Sequence, residues 1–186
     1  MRLSLDSLPV LVGAHGMIYG GVLVATPGIA GADVIAASVV LASGLIAASV
    51  VDMRTFLIPD WSSLGLVLSG LGATAWFSPG DLGWHGLAAL GWFLLFAAIS
   101  AFYLRVRGID GLGLGDAKLM AAGGAWLGPF ASPSALLIAS LGAAAVLGTL
   151  LLSGREPERV AFRTGIAFGP FLSLGIWITW LYGPMI

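Results

Sequence analysis

The sequence contains no cysteine, which excludes disulfides, thiol nucleophiles and cysteine-ligated zinc within these 186 residues. Charged residues are scarce too, at 9% of the chain, whereas soluble domains carry about 25%. The net charge is −1, so no basic surface is available for nucleic acid. Strict alternation of apolar and polar residues, the pattern of a membrane β-barrel, is missing as well. These absences argue against a soluble enzyme, a disulfide scaffold and a nucleic-acid-binding protein.

What the sequence has instead is long apolar runs, with 59% hydrophobic residues and a mean hydropathy of +1.02. A helix of roughly 20 apolar residues crosses the hydrocarbon core of a bilayer. We therefore predict an all-α integral membrane protein, a bundle of about seven transmembrane helices, with six to eight compatible with the runs. The predicted spans cover residues 10–25, 32–51, 61–77, 84–104, 116–130, 134–152 and 164–182.

Such a chain leaves no room for a separate soluble domain, so residues 1–186 are expected to form a single membrane-embedded domain. The first run has a second interpretation. Small residues at positions 30–32 would suit cleavage of a signal peptide.

The basic residues predict how the chain is oriented. With seven spans and a cytoplasmic N-terminus, the loops on the far side contain Asp33 and Asp81 but no Lys or Arg. Cytoplasmic loops of membrane proteins carry an excess of Lys and Arg. The N-terminus is therefore predicted to be cytoplasmic, and all 8 basic residues then lie on that side: Arg2, Arg54, Arg105, Arg107, Lys118, Arg155, Arg159 and Arg163.

Two carboxylates fall at the same membrane depth in this arrangement. Asp52 ends the second span, and Asp116 opens the fifth after a run that contains Gly111, Gly113 and Gly115. Two neighbouring carboxylates share a proton, because like charges a few ångströms apart do not both ionise cheaply. The ionised group can then accept a proton from water while the protonated group polarises a substrate carbonyl. This is the chemistry of an aspartic protease, and it requires neither metal nor thiol.

Other interpretations of the same residues stay open. Asp116 could merely cap its helix, and Asp60 is expected to be the N-cap of the third span. Lys118 could tune the charge of the carboxylate pair or extend toward the lipid head groups. A divalent-cation site would need Asp52, Asp60, Asp110 and Asp116 to converge, which their spacing does not require.

Two further functions compete with proteolysis. A small ion- or proton-coupled transporter could use Asp52 and Asp116, although transporter sites usually lie near the bilayer midplane. A purely structural subunit would leave the glycine-rich stretch unexplained. His15 and His85 are expected at different positions, facing outward or at mid-depth, and we interpret both as structural.

Three segments together resemble the type IV prepilin peptidase family, bacterial intramembrane aspartic proteases of the GxGD type. Residues 113–119 read GLGDAKL and match the GxGDxKL signature of that family. In residues 52–60, Pro59 follows Asp52 by seven positions, as in the segment that bears the first catalytic aspartate. Near the end of the chain, Gly169-Pro170 resembles a Gly-Pro motif of the last helices.

The resemblance covers roughly residues 32–182 and implies specific roles. Asp52 and Asp116 would be the catalytic pair, with no metal and no cofactor. The implied substrates are prepilins or pseudopilins with an apolar N-terminal helix, cleaved at the cytoplasmic face of the bacterial inner membrane. The residues expected to bind substrate or shape the site are Pro59, Gly113, Gly115, Lys118, Gly169 and Pro170.

The sequence departs from longer members of the family in one respect. Those proteins insert a cytoplasmic domain with paired CxxC zinc motifs, which is associated with methylating the new pilin N-terminus. No cysteine is present here. The chain therefore resembles a short, peptidase-only form.

Overall fold

The computed structural model describes residues 8–25, 31–108, 113–152 and 167–185. These residues form six α-helices and contain no strand, which confirms the prediction of an all-α protein. A short 3-10 turn, Pro79–Asp81, precedes the fourth helix. The helices are α1 (Leu8–Ala25), α2 (Ala32–Thr55), α3 (Asp60–Phe77), α4 (Leu82–Arg107), α5 (Leu114–Leu152) and α6 (Gly169–Tyr182).

Within the described residues, three helical stretches are long and apolar enough to cross a membrane, namely Ala32–Thr55, Pro79–Val106 and Leu114–Thr149. Large apolar side chains on these stretches, such as Leu87 and Leu141, face outward. In water such a surface would be unfavourable, whereas the lipid phase accepts it. The helical, apolar character of the chain thus agrees with the prediction, while the total of about seven spans stays a prediction.

The turn between α2 and α3 is tight. Phe56 adopts a left-handed conformation with φ of 54°, and its N–H donates to the Asp52 carbonyl at 2.9 Å. Pro59 is the N-cap of the next helix, and its carbonyl accepts the N–H groups of Ser62 and Ser63 at 3.1 and 3.2 Å. Pro59 is therefore the helix boundary that the sequence predicts. The expected N-cap role of Asp60 is wrong, because Pro59 occupies that position and Asp60 is already helical.

The core of the bundle is built around α5, which packs against α3, α4 and α6. Its inner face carries small residues, including the fully buried Ala117 and Ala125. A Cβ atom added to Gly124 would lie 2.7 Å from the backbone of Ala88 in α4. Small residues at such positions let helix backbones approach closely, which is how helices associate in lipid.

One break interrupts α5. Gly128 has φ of 71° and ψ of −175°, angles that side-chain-bearing residues rarely adopt. Pro129 has no N–H, so it cannot donate to the carbonyl of Ala125 four positions earlier. That carbonyl instead accepts from Nδ1 of His85 at 2.9 Å. The break thus lies at Gly128 and is stabilised from α4.

Two further hydrogen bonds stabilise the break, on the side that leads into the second arm of α5. Ser132 Oγ donates to the Gly128 carbonyl at 2.7 Å, and Trp92 Nε1 donates to Ser132 Oγ at 2.7 Å. The sequence predicts one span ending at residue 130 and another starting at 134. Two helical arms are present, but they meet at Gly128, and residues 129–133 are helical. The sequence also predicts that Gly169-Pro170 interrupts a last span of residues 164–182, whereas this pair begins α6 in the structure. Residues 164–166 of that span lie outside the described residues.

We expect Gly128→Ala to destabilise the protein by about 2 kcal/mol or more. A Cβ at this position would lie 2.7 Å from Nε2 of His85 and would also impose an unfavourable positive φ. The measurement is thermal unfolding of the purified protein in detergent. Gly72→Ala in α3 is the matched control, because a Cβ there meets open space. Equal unfolding temperatures for the two variants would contradict this account of the break.

Candidate active site

Asp52 lies near the end of α2 that is predicted to be cytoplasmic, and it is 6% exposed. Its Oδ2 accepts a hydrogen bond from the backbone N–H of Gly169 at 3.0 Å. Because Gly169 begins α6, the carboxylate sits at a helix N-terminus, where negative charge is favoured. The contact fixes one oxygen of the Asp52 carboxylate and thereby orients the whole group.

Gly169 fits this position for a steric reason. A Cβ atom added there would lie 2.6 Å from Oδ2 and 2.9 Å from the carboxyl carbon of Asp52. Any side chain would therefore force either the carboxylate or the start of α6 to move. Pro170 follows in the first turn of α6, where a missing N–H removes no helical hydrogen bond. The Gly-Pro pair thus starts α6 against Asp52.

Asp116 lies in the first turn of α5, and its N–H donates to the Gly113 carbonyl at 3.0 Å. The side chain is partly buried, and the charge of Asp52 acts on it electrostatically. The structure therefore brings the two carboxylates, 64 positions apart in sequence, into one region between the end of α2 and the start of α5.

The two glycines of the GLGD segment differ in their surroundings. A Cβ atom on Gly115 would lie 3.1 Å from the Ile58 side chain and 3.3 Å from its backbone nitrogen. Gly115 therefore lets the start of α5 pack on the turn that follows Asp52. Gly113 is exposed, and a Cβ there would meet no atom closer than 3.7 Å. Gly111, which precedes this segment, lies outside the described residues.

Lys118 forms an ion pair with Asp60 that connects the first turns of α5 and α3. The Asp60 side chain is 84% exposed and that of Lys118 is 32% exposed. The sequence suggested a contact with the catalytic carboxylates or with head groups for Lys118, and it did not reveal this partner. Pairs so exposed contribute little to stability, about 0.2–1 kcal/mol.

We therefore expect Asp60→Asn to keep at least about a fifth of wild-type activity and a nearly unchanged unfolding temperature, since a screened pair is all that is lost. Activity here means cleavage of a prepilin, the substrate that the family resemblance implies. Lys118→Met should behave alike, because it removes the same pair from the other side. Complete inactivation of correctly folded Asp60→Asn would show that Asp60 belongs to the reacting pair in place of Asp52 or Asp116.

No group of three or more His, Asp or Glu side chains is arranged to hold a metal ion in the described part of the chain. Asp110, one of the four carboxylates considered for a cation site, falls outside it. Asp60 is engaged by Lys118. Of the four carboxylates considered, Asp52 and Asp116 are the two that the described residues leave close enough to interact electrostatically.

Comparison with known proteins bears on this site directly. The model of the type IV leader peptidase family matches residues 39–149, which is more than half of the chain and includes both Asp52 and Asp116. The chain belongs to the type IV leader peptidase family. Because it belongs to this family and its described part includes three helices able to cross a bilayer, it is an integral membrane protein.

Curated relatives support the family assignment. The chain is 37% identical over 175 residues to a prepilin leader peptidase/N-methyltransferase of Burkholderia pseudomallei, covering 94% of this chain and 54% of that protein. It is 38% identical over 152 residues to the protein of that name from Pseudomonas aeruginosa, covering 81% and 50%. The protein of Stutzerimonas stutzeri is 36% identical over 157 residues, again covering 81% and 50%.

The chain thus spans about half the length of the curated relatives it matches. No solved structure matches it significantly.

Proposed function

We propose that this member of the type IV leader peptidase family is a membrane aspartic endopeptidase, which removes the leader peptide from type IV prepilins or pseudopilins. The observation that carries the proposal is the hydrogen bond from the Gly169 N–H to Asp52, a carboxylate whose charge also reaches Asp116. The names of the relatives, prepilin leader peptidases, support the substrate class.

In the proposed reaction a water molecule binds between the two carboxylates. The ionised carboxylate takes a proton from this water, and the water oxygen attacks the scissile carbonyl carbon. The protonated carboxylate gives its proton to the carbonyl oxygen, so that a neutral tetrahedral intermediate forms. Cleavage of the C–N bond then returns a proton to the leaving amine. The Gly169 N–H contributes by fixing one Asp52 oxygen, which keeps the other oriented for catalysis.

The other predicted site residues shape the surroundings in this proposal. Gly113 is exposed and has free space around it, so an extended substrate backbone can lie against the start of α5. Gly115 and Pro59 bring the start of α5 close to the end of α2. Lys118 stabilises the same packing through its ion pair with Asp60.

We further propose that residues 1–186 form one peptidase domain of about seven spans in the bacterial inner membrane, with the N-terminus and both aspartates on the cytoplasmic side. Arg54 and Lys118 each follow one of the two aspartates by two residues, and Arg105 lies in the last turn of α4, the helix that precedes Asp116, which supports this orientation. A substrate with an apolar N-terminal helix would enter from the bilayer while its leader stays in the cytoplasm.

The proposal is tested by producing the chain in membranes together with a prepilin that one of the matched relatives processes. We expect a shorter product, whose new N-terminus is identified by mass spectrometry, and no product in membranes without the chain. An intact substrate, with both proteins present and folded, would reject the peptidase. Proton- or sodium-dependent uptake in vesicles that hold the same protein would then favour the transporter interpretation.

A further inference from the structure

A cluster of three buried hydroxyl groups lies where α1, α2 and α6 meet. Tyr19 of α1 is 3% exposed, and its ring packs against Trp177 with centroids 5.3 Å apart. The Tyr19 hydroxyl faces the side chains of Ser49 in α2 and Ser173 in α6, both of which are fully buried. Among the described residues, none of the three hydroxyl oxygens has a partner at hydrogen-bond geometry.

Three buried hydroxyls without partners would be unfavourable, because each lost hydrogen bond to water must be replaced. Each hydroxyl offers one donor and two acceptor sites, so the three groups can satisfy one another. One shared water would serve equally well, since a buried water usually makes about three hydrogen bonds to polar groups of this kind. Either arrangement forms only while α1, α2 and α6 keep their relative positions.

The cluster lies on the same two helices as the contact that orients Asp52. Ser49 precedes Asp52 by three residues, and Ser173 follows Gly169 by four residues. Ser49 is therefore one helical turn from the acceptor of the Gly169–Asp52 hydrogen bond, and Ser173 is one turn from its donor. A shift between α2 and α6 at the level of the serines would carry over to that bond, because both are rigid helices.

We infer that Tyr19 is a positioning residue for Asp52, acting through Ser49 and Ser173. This inference rests on the proposed peptidase function. The tyrosine connects the first helix to the α2–α6 contact and restricts the Asp52 carboxylate to the orientation in which the Gly169 N–H binds it. Tyr19 touches no reacting atom in this role, and the restriction acts on the rate of the chemical step rather than on substrate binding.

The test is steady-state cleavage of a prepilin by the full chain in liposomes, with Tyr19→Phe compared to wild type. This variant removes one oxygen and keeps the ring on Trp177. We expect kcat, per folded enzyme, to fall about five- to tenfold with KM unchanged within about twofold. Tyr103→Phe is the matched control, because it removes the hydroxyl of a tyrosine that is 47% exposed on α4. It should cleave at the wild-type rate.

A second measurement addresses the cluster itself. In thermal unfolding, Tyr19→Phe and Ser173→Ala should couple, so that the double variant is less destabilised than the sum of the single variants. Additive effects would show that the hydroxyls do not act together and would overturn the inference. Wild-type kcat in Tyr19→Phe would overturn the positioning role while leaving the peptidase intact. If wild type cleaves no prepilin, the proposed function fails, the positioning role falls with it, and the unfolding cycle still decides whether the cluster exists.

Discussion

Replacing either Asp52 or Asp116 by Asn is expected to lower the rate of leader cleavage by about a thousandfold or more. The substitution keeps the shape of the side chain but removes the group that exchanges protons with water and with the substrate carbonyl. Because the amide oxygen introduced by Asp52→Asn can still accept from the Gly169 N–H, the fold of the site should persist. The measurement is cleavage of a prepilin in membranes, with the amount of each variant determined in the same samples.

Asp33→Asn and Asp81→Asn serve as controls for this experiment. Both carboxylates are exposed and lie at helix ends distant from the pair, so both variants should cleave like wild type. Substantial cleavage by either Asp52→Asn or Asp116→Asn would show that the reaction does not need two carboxylates. Inactivation with loss of folded protein would be a structural effect, and for this reason the unfolding temperature of each variant is measured as well.

Gly169→Ala is expected to reduce cleavage about a hundredfold, although no ionisable group is changed. The added methyl would lie 2.6 Å from Oδ2 of Asp52, well inside van der Waals contact, so either the carboxylate or the start of α6 must move. A displacement of about 1 Å in a catalytic group can have an effect of this size. The measurement is again kcat for prepilin cleavage, and substrate binding should change much less.

The matched control for this variant is Gly91→Ala in α4, where an added Cβ meets no atom within 4 Å. That change should leave cleavage unaltered, because alanine is favoured over glycine within a helix. Wild-type activity in Gly169→Ala would mean that the Gly169–Asp52 contact does not orient a reacting group. It would leave the two aspartates as candidates but remove the argument that α6 completes the site.

The helices could be predicted where the length of an apolar run is enough to define the helix. The predicted spans 61–77 and 84–104 lie within α3 and α4, since a long apolar run bounded by polar or turn residues has few alternatives. The break in α5 could not be predicted in the same way. Proline normally ends a helix, but here His85 and Trp92 from another helix stabilise the backbone around Pro129. Their contribution depends on tertiary packing.

The site was predictable to a similar degree. The GLGD segment and the Asp-to-Pro spacing pointed to Asp52 and Asp116 from local sequence. The Asp60–Lys118 pair joins residues that are far apart in the chain, and no local pattern indicates it. The cluster around Tyr19 was also missed. Its only signal in the sequence is a serine one turn from Asp52 and another one turn from Gly169, and serines are common in small-residue helices.

The central claim is that Asp52 and Asp116 share one site, and site-directed cross-linking tests it most directly. The chain has no cysteine, so the double variant Asp52→Cys with Asp116→Cys presents only two thiols. With a short bifunctional maleimide in membranes, we predict an intramolecular cross-link, seen as two joined peptides by mass spectrometry. Asp60→Cys with Lys118→Cys is the positive control, and Asp33→Cys with Asp116→Cys the negative one. No cross-link between positions 52 and 116, with both thiols reactive singly, would contradict the account.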